Sequence, residues 1–240
     1  CYVDTRNIRL VRNVACVNIL CYKRWMPAAQ PSHPATPKHR PYHHQDLRKA
    51  LMQAAEALIG EVGPRAFTLR EVARRAGVSH NAPYRHFASR DDLLLAVAVE
   101  GFERLSASMS KRMERGTSAR ERLVLCGCGY VEFALRWPRH FLVMFDLPGL
   151  LHGECGHSQI GHSAFAVLLD AVSSAQQSGI LPAGDPRPIA WAAWSLVHGI
   201  ATLAMQANLP LNQKAALDFT RQAAEWMIRG IQPSSRRRAR

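Results

Sequence analysis

The chain has 240 residues, 48% of them apolar and 20% charged, and its 31 Lys and Arg against 18 Asp and Glu give a net charge of +13. Such a length and composition permit one large domain or two modest ones around a sizeable core, and exclude a disordered or fibrous chain. The charge excludes an acidic solvating protein and points to a polyanionic partner, either nucleic acid or an anionic membrane surface.

That charge is unevenly placed. Residues 1–25 carry five basic side chains against Asp4 alone, and the last residues carry Arg236, Arg237, Arg238 and Arg240. Between Lys38 and Leu95 there are ten basic and six acidic residues; between Ala96 and Ser235 there are twelve and eleven. A basic amino-terminal module thus precedes a nearly neutral, apolar body.

The first Met is Met26, and the apolar run from Val14 to Cys21 is short, broken by Asn18 and followed by Lys23 and Arg24, a poor fit to a secretory signal. The natural product is therefore expected to start at or near Met26, with residues 1–25 as unstructured extension. Pro27, Pro31, Pro34, Pro37 and Pro41 then read as a flexible arm, so residues 1–42 form an expected disordered extension. Outside the first 25 residues only Cys126, Cys128 and Cys155 remain, an odd number at no repeating spacing. That is no disulfide framework, and a cytoplasmic location is expected.

From here the pattern is helical. Leu47, Leu51, Ala54, Ala55, Leu58 and Val62 recur every three to four residues and predict a first helix ended by Gly60 and Gly63-Pro64. Thr68 with Glu71 makes a capping box for a short helix that buries Leu69, Val72, Ala73 and Ala76 and stops at Gly77. A second short helix follows, capped by Ser79 or Asn81, with Pro83 in its first turn. Ser89 with Asp92 opens a long helix whose Leu94, Val97, Phe102, Leu105 and Met109 face inward. No strand alternation appears, so the expected fold class is all-α.

Two short helices joined by a tight Gly-containing turn in a basic region have the makings of a helix-turn-helix DNA reader; a surface helical hairpin would share the spacing. In a reader, the first turns of the second helix enter the major groove and their dipole end favours nearby phosphate. Leu69, Val72, Val78 and Phe87 would pin the helix pair.

The run Phe67-Thr68-Leu69-Arg70-Glu71-Val72-Ala73, then Ala76-Gly77-Val78-Ser79, Tyr84-Arg85-His86-Phe87 and Ser89-Arg90-Asp91-Asp92-Leu93-Leu94, resembles the DNA-binding domain of the tetracycline-repressor (TetR) family. The resemblance implies a helix-turn-helix domain over residues 43–90, a helical ligand-binding and dimerisation domain over 91–232, and a basic tail over 233–240. It implies that Thr68 contacts phosphate, that His80, Asn81 and Ala82 face the bases, and that Tyr84, His86 and Arg90 hold phosphates. Arg70, Ser79 and Arg85 complete the expected DNA-binding set; Arg70, Arg74 and Arg75 also read as a plain solvated basic face. Asn81-Ala82-Pro83 departs from the family's usual Gly-Thr-Leu-like run, so no operator sequence can be borrowed from a relative.

Further along, helices are expected from about Ala119 to Trp137, after Pro138, and near 158–178, 188–208 and 213–230. The first is apolar nearly all round and belongs at the centre. No charge occurs from Pro188 to Gln213, long enough to raise a membrane span, but Ala-rich composition, His198, Gly199 and Asn208 favour a buried or interfacial helix, so no membrane partner is expected. The family resemblance implies that the last two helices form a four-helix homodimer interface, which also sets two recognition helices about 34 Å apart.

Trp194 through Gly199 looks like the Trp-x-x-x-His-Gly signature of one TetR-type carboxy-terminal domain. Trp194 and His198 share a helix face at i,i+4, which serves a hydrogen-bonded core pair or a ligand contact equally. Phe133, Trp137, Phe141, Met144, Phe145, Trp191, Trp194 and His198 are the candidate effector pocket, and such an aromatic stripe also reads as plain core. His152, Glu154, Cys155, His157 and His162 lie within eleven residues, raising a metal- or redox-responsive alternative, although their spacing fits no zinc motif. No cofactor or resident metal is expected. No nucleophile, phosphate-loop or paired-carboxylate motif supports an enzyme. The expectation is a homodimeric repressor of a palindromic double-stranded DNA operator, released by a small-molecule effector.

Overall fold

The computed structural model describes residues 44–146, 162–206, 209 and 211–231. The expected arm 1–42, the tail 233–240 and most of the His- and Cys-bearing segment from His152 onward lie outside the described residues. All the described secondary structure is helical. In chain order it runs α1 (His44–Val62), α2 (Leu69–Arg75), a 3₁₀ turn (Pro83–Arg85), α3 (Arg90–Met113), α4 (Ala119–Arg136), α5 (Pro138–Asp146), α6 (His162–Gln177), α7 (Arg187–Met205) and α8 (Gln213–Ile231).

The helix starts follow side-chain chemistry. Thr68 accepts from the Glu71 N–H while Glu71 accepts from the Thr68 N–H, a reciprocal cap; Ser89 and Asp92 repeat it at α3, and Ser118 caps α4 through the Glu121 N–H. Gly77 adopts φ 69°, the left-handed turn predicted after α2. Gly60, in contrast, does not end α1. It lies inside the helix, where the Arg139 guanidinium fills the space a Cβ would take. Val62 is 42% exposed rather than part of the apolar face, because the last two residues of α1 project past the core.

α4 is the centre, as its all-round apolar pattern predicts: it packs against α3, α5, α6, α7 and α8. Gly129 makes the α3–α4 crossing possible, since a Cβ there would stand 2.7 Å from the Met109 Cα and 2.8 Å from the Ser108 carbonyl oxygen. The Ser108 hydroxyl donates to the Gly129 carbonyl across the same crossing, at 2.9 Å. α3 connects the two halves: its first turns complete the core with α1 and its later turns pack on α4, α5 and α6.

α7 is the one described helix long and apolar enough to cross a membrane. Here it packs against α4, α6 and α8 through Ala190, Ala193, Val197, Ile200, Ala201 and Ala204. Its other face leaves Trp191 and Leu203 exposed, and α8 likewise leaves Trp226 exposed. A Cβ at Gly199 would meet open space, so the close approach that glycine permits is not used within the described chain.

Candidate DNA-reading surface and aromatic cluster

The segment after Gly77 differs from its sequence prediction. Neither Ser79 nor Asn81 caps an α-helix there; the residue before the 3₁₀ turn is Ala82, with no side-chain cap. Pro83 is the physical reason. An α-helical start at Ser79 would need an N–H at residue 83, which proline lacks, so the Ser79 carbonyl accepts from the Ala82 N–H at 2.9 Å. The ladder continues with Arg85 N–H to Ala82 and His86 N–H to Pro83, and Phe87 N–H reaches the same Pro83 carbonyl.

The backbone is therefore pinned while the side chains face solvent. Pro83 and Phe87 are buried, and Arg48 lies over the Phe87 ring at 5.5 Å. Ser79, His80, Asn81, Tyr84 and Arg85 are exposed; Ala82 and His86 are half-buried. Tyr84 keeps 52% of its surface in water, with its hydroxyl free to meet a partner.

Around this turn the remaining candidates divide. Thr68 and Arg70 are exposed at the start of α2, but the Thr68 hydroxyl is already bonded to Glu71, whose carboxyl is held below its usual range by the Thr68 N–H and then its hydroxyl. Arg75 makes a two-pronged pair with Glu61 and clamps α2 to α1, so it serves structure. Arg74 is exposed. Arg90 turns back to the Arg65 carbonyl at 3.0 Å and to Asp91. His86 packs beside Phe87 and lines an open groove of about 720 Å³ between α1 and α3.

The eight effector candidates are not one lining. Phe141, Phe145, Trp194 and His198 meet in one cluster: His198 stacks on Phe141 at 5.3 Å and meets Phe145 edge-on at 4.8 Å, while Phe145 meets Trp194 at 6.4 Å. Met144 is buried beneath α3 at Gly101. Phe133 pairs with Trp137 on another face, where Arg104 and Arg136 cover the indole. Trp191 points outward, 59% exposed.

Two residues absent from the predicted pocket complete the cluster. Phe165 packs on Trp194 at 5.3 Å. Tyr130 places its hydroxyl 2.8 Å from His198 Nδ1 and its ring edge-on to the imidazole. The phenol and Nδ1 share one hydrogen bond, whose donor is set by the imidazole tautomer. Burial holds the Tyr130 phenol neutral and pushes the His198 pKa below its ordinary value. A tyrosine on a helix that is apolar all round must find a buried partner, and that was the signal available in the sequence. Beside the cluster is a small apolar cavity of about 20 Å³, lined by Met109, Leu123, Cys126, Tyr130, Leu196 and Met227 among others. Burial pushes the Cys126 thiol up to about 12, which keeps it protonated.

The family profile described as bacterial regulatory proteins, tetR family, matches residues 51–97, and the one described as tetracyclin repressor-like, C-terminal domain, matches residues 123–230. The chain belongs to the TetR family. It is similar to a solved protein of unknown function from Rhodococcus sp. RHA1, with 34% identity and a TM-score of 0.70 over 81% of this chain and 100% of that one. The transcriptional regulator FadR from Bacillus subtilis, solved with stearoyl-CoA, shares the fold at 17% identity and a TM-score of 0.63, over 76% of this chain and 98% of that one. HTH-type transcriptional repressor Rv3405c from Mycobacterium tuberculosis is 38% identical over 65 residues, which are 27% of this chain. The matched stretch spans about a third (35%) of that curated relative's length. The TetR-type halves join at α3, whose first turns fall in the first profile.

Proposed function

We propose that the chain is a homodimeric transcriptional regulator that binds a palindromic operator and is released by a small-molecule effector. The observation that carries this reading is the 79–86 turn: a backbone locked by consecutive hydrogen bonds that holds Ser79, His80, Asn81, Tyr84 and Arg85 in solvent. Asn81, with an amide able to pair bidentately with adenine, and His80 are the base readers. Tyr84, Arg85 and Arg70 supply phosphate contacts, with Thr68 at the head of α2; His86 and Arg90, held against the domain itself, fix the turn and reach phosphate only at its edge. Ala82 contributes apolar contact.

Dimerisation is supported by the exposed Trp191, Leu203 and Trp226 on α7 and α8, large apolar side chains that one subunit leaves in water. A second copy packed on that face would set the two reading turns one helical repeat apart. The effector is assigned to the cluster of Phe141, Phe145, Phe165, Trp194 and His198. Opening it exchanges aromatic contacts for ligand contacts and moves α5, which packs against α1. The effector shifts the DNA-binding equilibrium only by its differential affinity for the two arrangements. Selection of bound sequences from a random DNA pool tests the reading: an inverted repeat is expected, and uniform recovery by a folded dimer would refute it.

A further inference from the structure

At the junction of the two halves, three side chains from three helices converge: Glu56 on α1, Glu100 on α3 and His140 on α5. One ligand atom of each lies within 4.8 Å of the others. His140 is 1% exposed, yet its Nε2 has no hydrogen-bond partner. That nitrogen faces Glu56 Oε1 at 3.4 Å, off the line a hydrogen bond requires. A buried polar atom left in this state costs about 1–3 kcal/mol unless something satisfies it.

From this convergence we infer that Glu56, Glu100 and His140 form a divalent-cation site, suited to Zn²⁺, that ties the DNA-binding helices to the carboxy-terminal body. Two donors bound to zinc at roughly 2.1 Å in a tetrahedron stand about 3.4 Å apart, which is the observed separation of Nε2 and Oε1. The Glu100 donor lies within 4.8 Å of the other two and completes the set by turning inward from Arg104. Water would supply the fourth position, as a three-residue ligand set leaves it open.

The chemistry of each donor fits. His140 is buried with its Nε2 unpaired, so that nitrogen can offer its lone pair. Glu56 and Glu100 bring two carboxylates within 4.8 Å, a like-charge pair that a cation relieves. The competitors are Arg104, which binds Glu100 Oε1 through two nitrogens, and Arg139, which lies over Gly60 and near Glu56. Glu100 also lines the open groove between α1 and α3, giving an ion a route in.

The test is equilibrium dialysis of the full-length, DNA-free protein against Zn²⁺, with Co²⁺ as a spectroscopic substitute. One ion per chain is expected at the site, with a cobalt spectrum free of thiolate charge transfer. His140→Gln and Glu100→Gln should each weaken binding at least tenfold, while Arg104→Gln should tighten it severalfold by freeing Glu100. Native circular dichroism of Glu100→Gln, whose side chain is partly exposed, separates ligand loss from misfolding. Unchanged affinity in both Gln variants, or binding with a thiolate band that Cys155→Ser abolishes, overturns the site. Any effect of the ion on DNA affinity rests on the proposed function; an ion bound without DNA-site preference would sink that function and leave the cation site standing.

Discussion

The reading turn and the aromatic cluster solve opposite problems with similar residues. At 79–86 the backbone satisfies itself through i→i+3 bonds, so Tyr84 and His80 need no partners inside the chain and are held out in water. Around His198 the side chains partner one another, through the Tyr130 hydroxyl and stacked Phe141, in a half-buried cluster. The difference teaches that an aromatic or histidine side chain is informative in this protein by where its backbone bonds go. A turn held by its backbone bonds and by buried Pro83 has its other side chains to spare for a ligand; a cluster held by side-chain contacts must give some of them up to bind one.

Substitutions in the two regions should therefore separate stability from DNA binding. Phe141→Ala empties a site that is 4% exposed and shared by Tyr130, Phe145 and His198. It should cost about 3–5 kcal/mol of stability in denaturant melts. Asn81→Ala should leave stability within about 0.5 kcal/mol while removing about 1–3 kcal/mol of discrimination at one base pair, read by competition binding. Equal losses of stability from both substitutions would break the contrast.

Thr68→Ala sits between the two, because its hydroxyl caps α2 and is also proposed to contact phosphate. A stability loss of about 1 kcal/mol is expected from the cap alone, seen as a lower melting midpoint. Arg85→Ala should weaken binding to all sequences alike and reduce the slope of affinity against salt by about one.

The smallest effect is on pH dependence. His198 has its pKa lowered by burial, so the unfolded chain takes up protons more readily than the folded one. Its contribution to stability is complete above about pH 6.5, the ordinary imidazole value, and is lost as the pH falls below it. His198→Asn should flatten that part of the stability profile between neutral and mildly acidic pH; an unchanged slope would show that the cluster does not bury the ring.

Much of the frame was legible because it rests on local rules. Thr68 with Glu71, Ser89 with Asp92 and Gly77 announce their caps and turn by residue type, and the all-round apolar run in α4 announces its central place. The reading helix was less legible: Pro83 suits a first α-helical turn as well as a 3₁₀ turn, and only the carbonyl of Ser79 decides between them. The eight aromatic and sulfur-bearing candidates could not be divided into Phe141, Phe145, Trp194 and His198 on one side and Phe133 and Trp137 on the other. Helical spacing gives the face of one helix, not which faces meet. Glu56, Glu100 and His140 were invisible for the same reason, since 84 residues separate the first from the last and no motif joins them.

If the 79–86 turn reads DNA sequence, quantitative footprinting on a selected inverted repeat, with wild type and Asn81→Ala side by side at one salt concentration, will show it. Symmetric protection of two half-sites one helical turn apart is expected, with Asn81→Ala losing preference at one base pair in each half. Protection of every sequence alike by both proteins would contradict it.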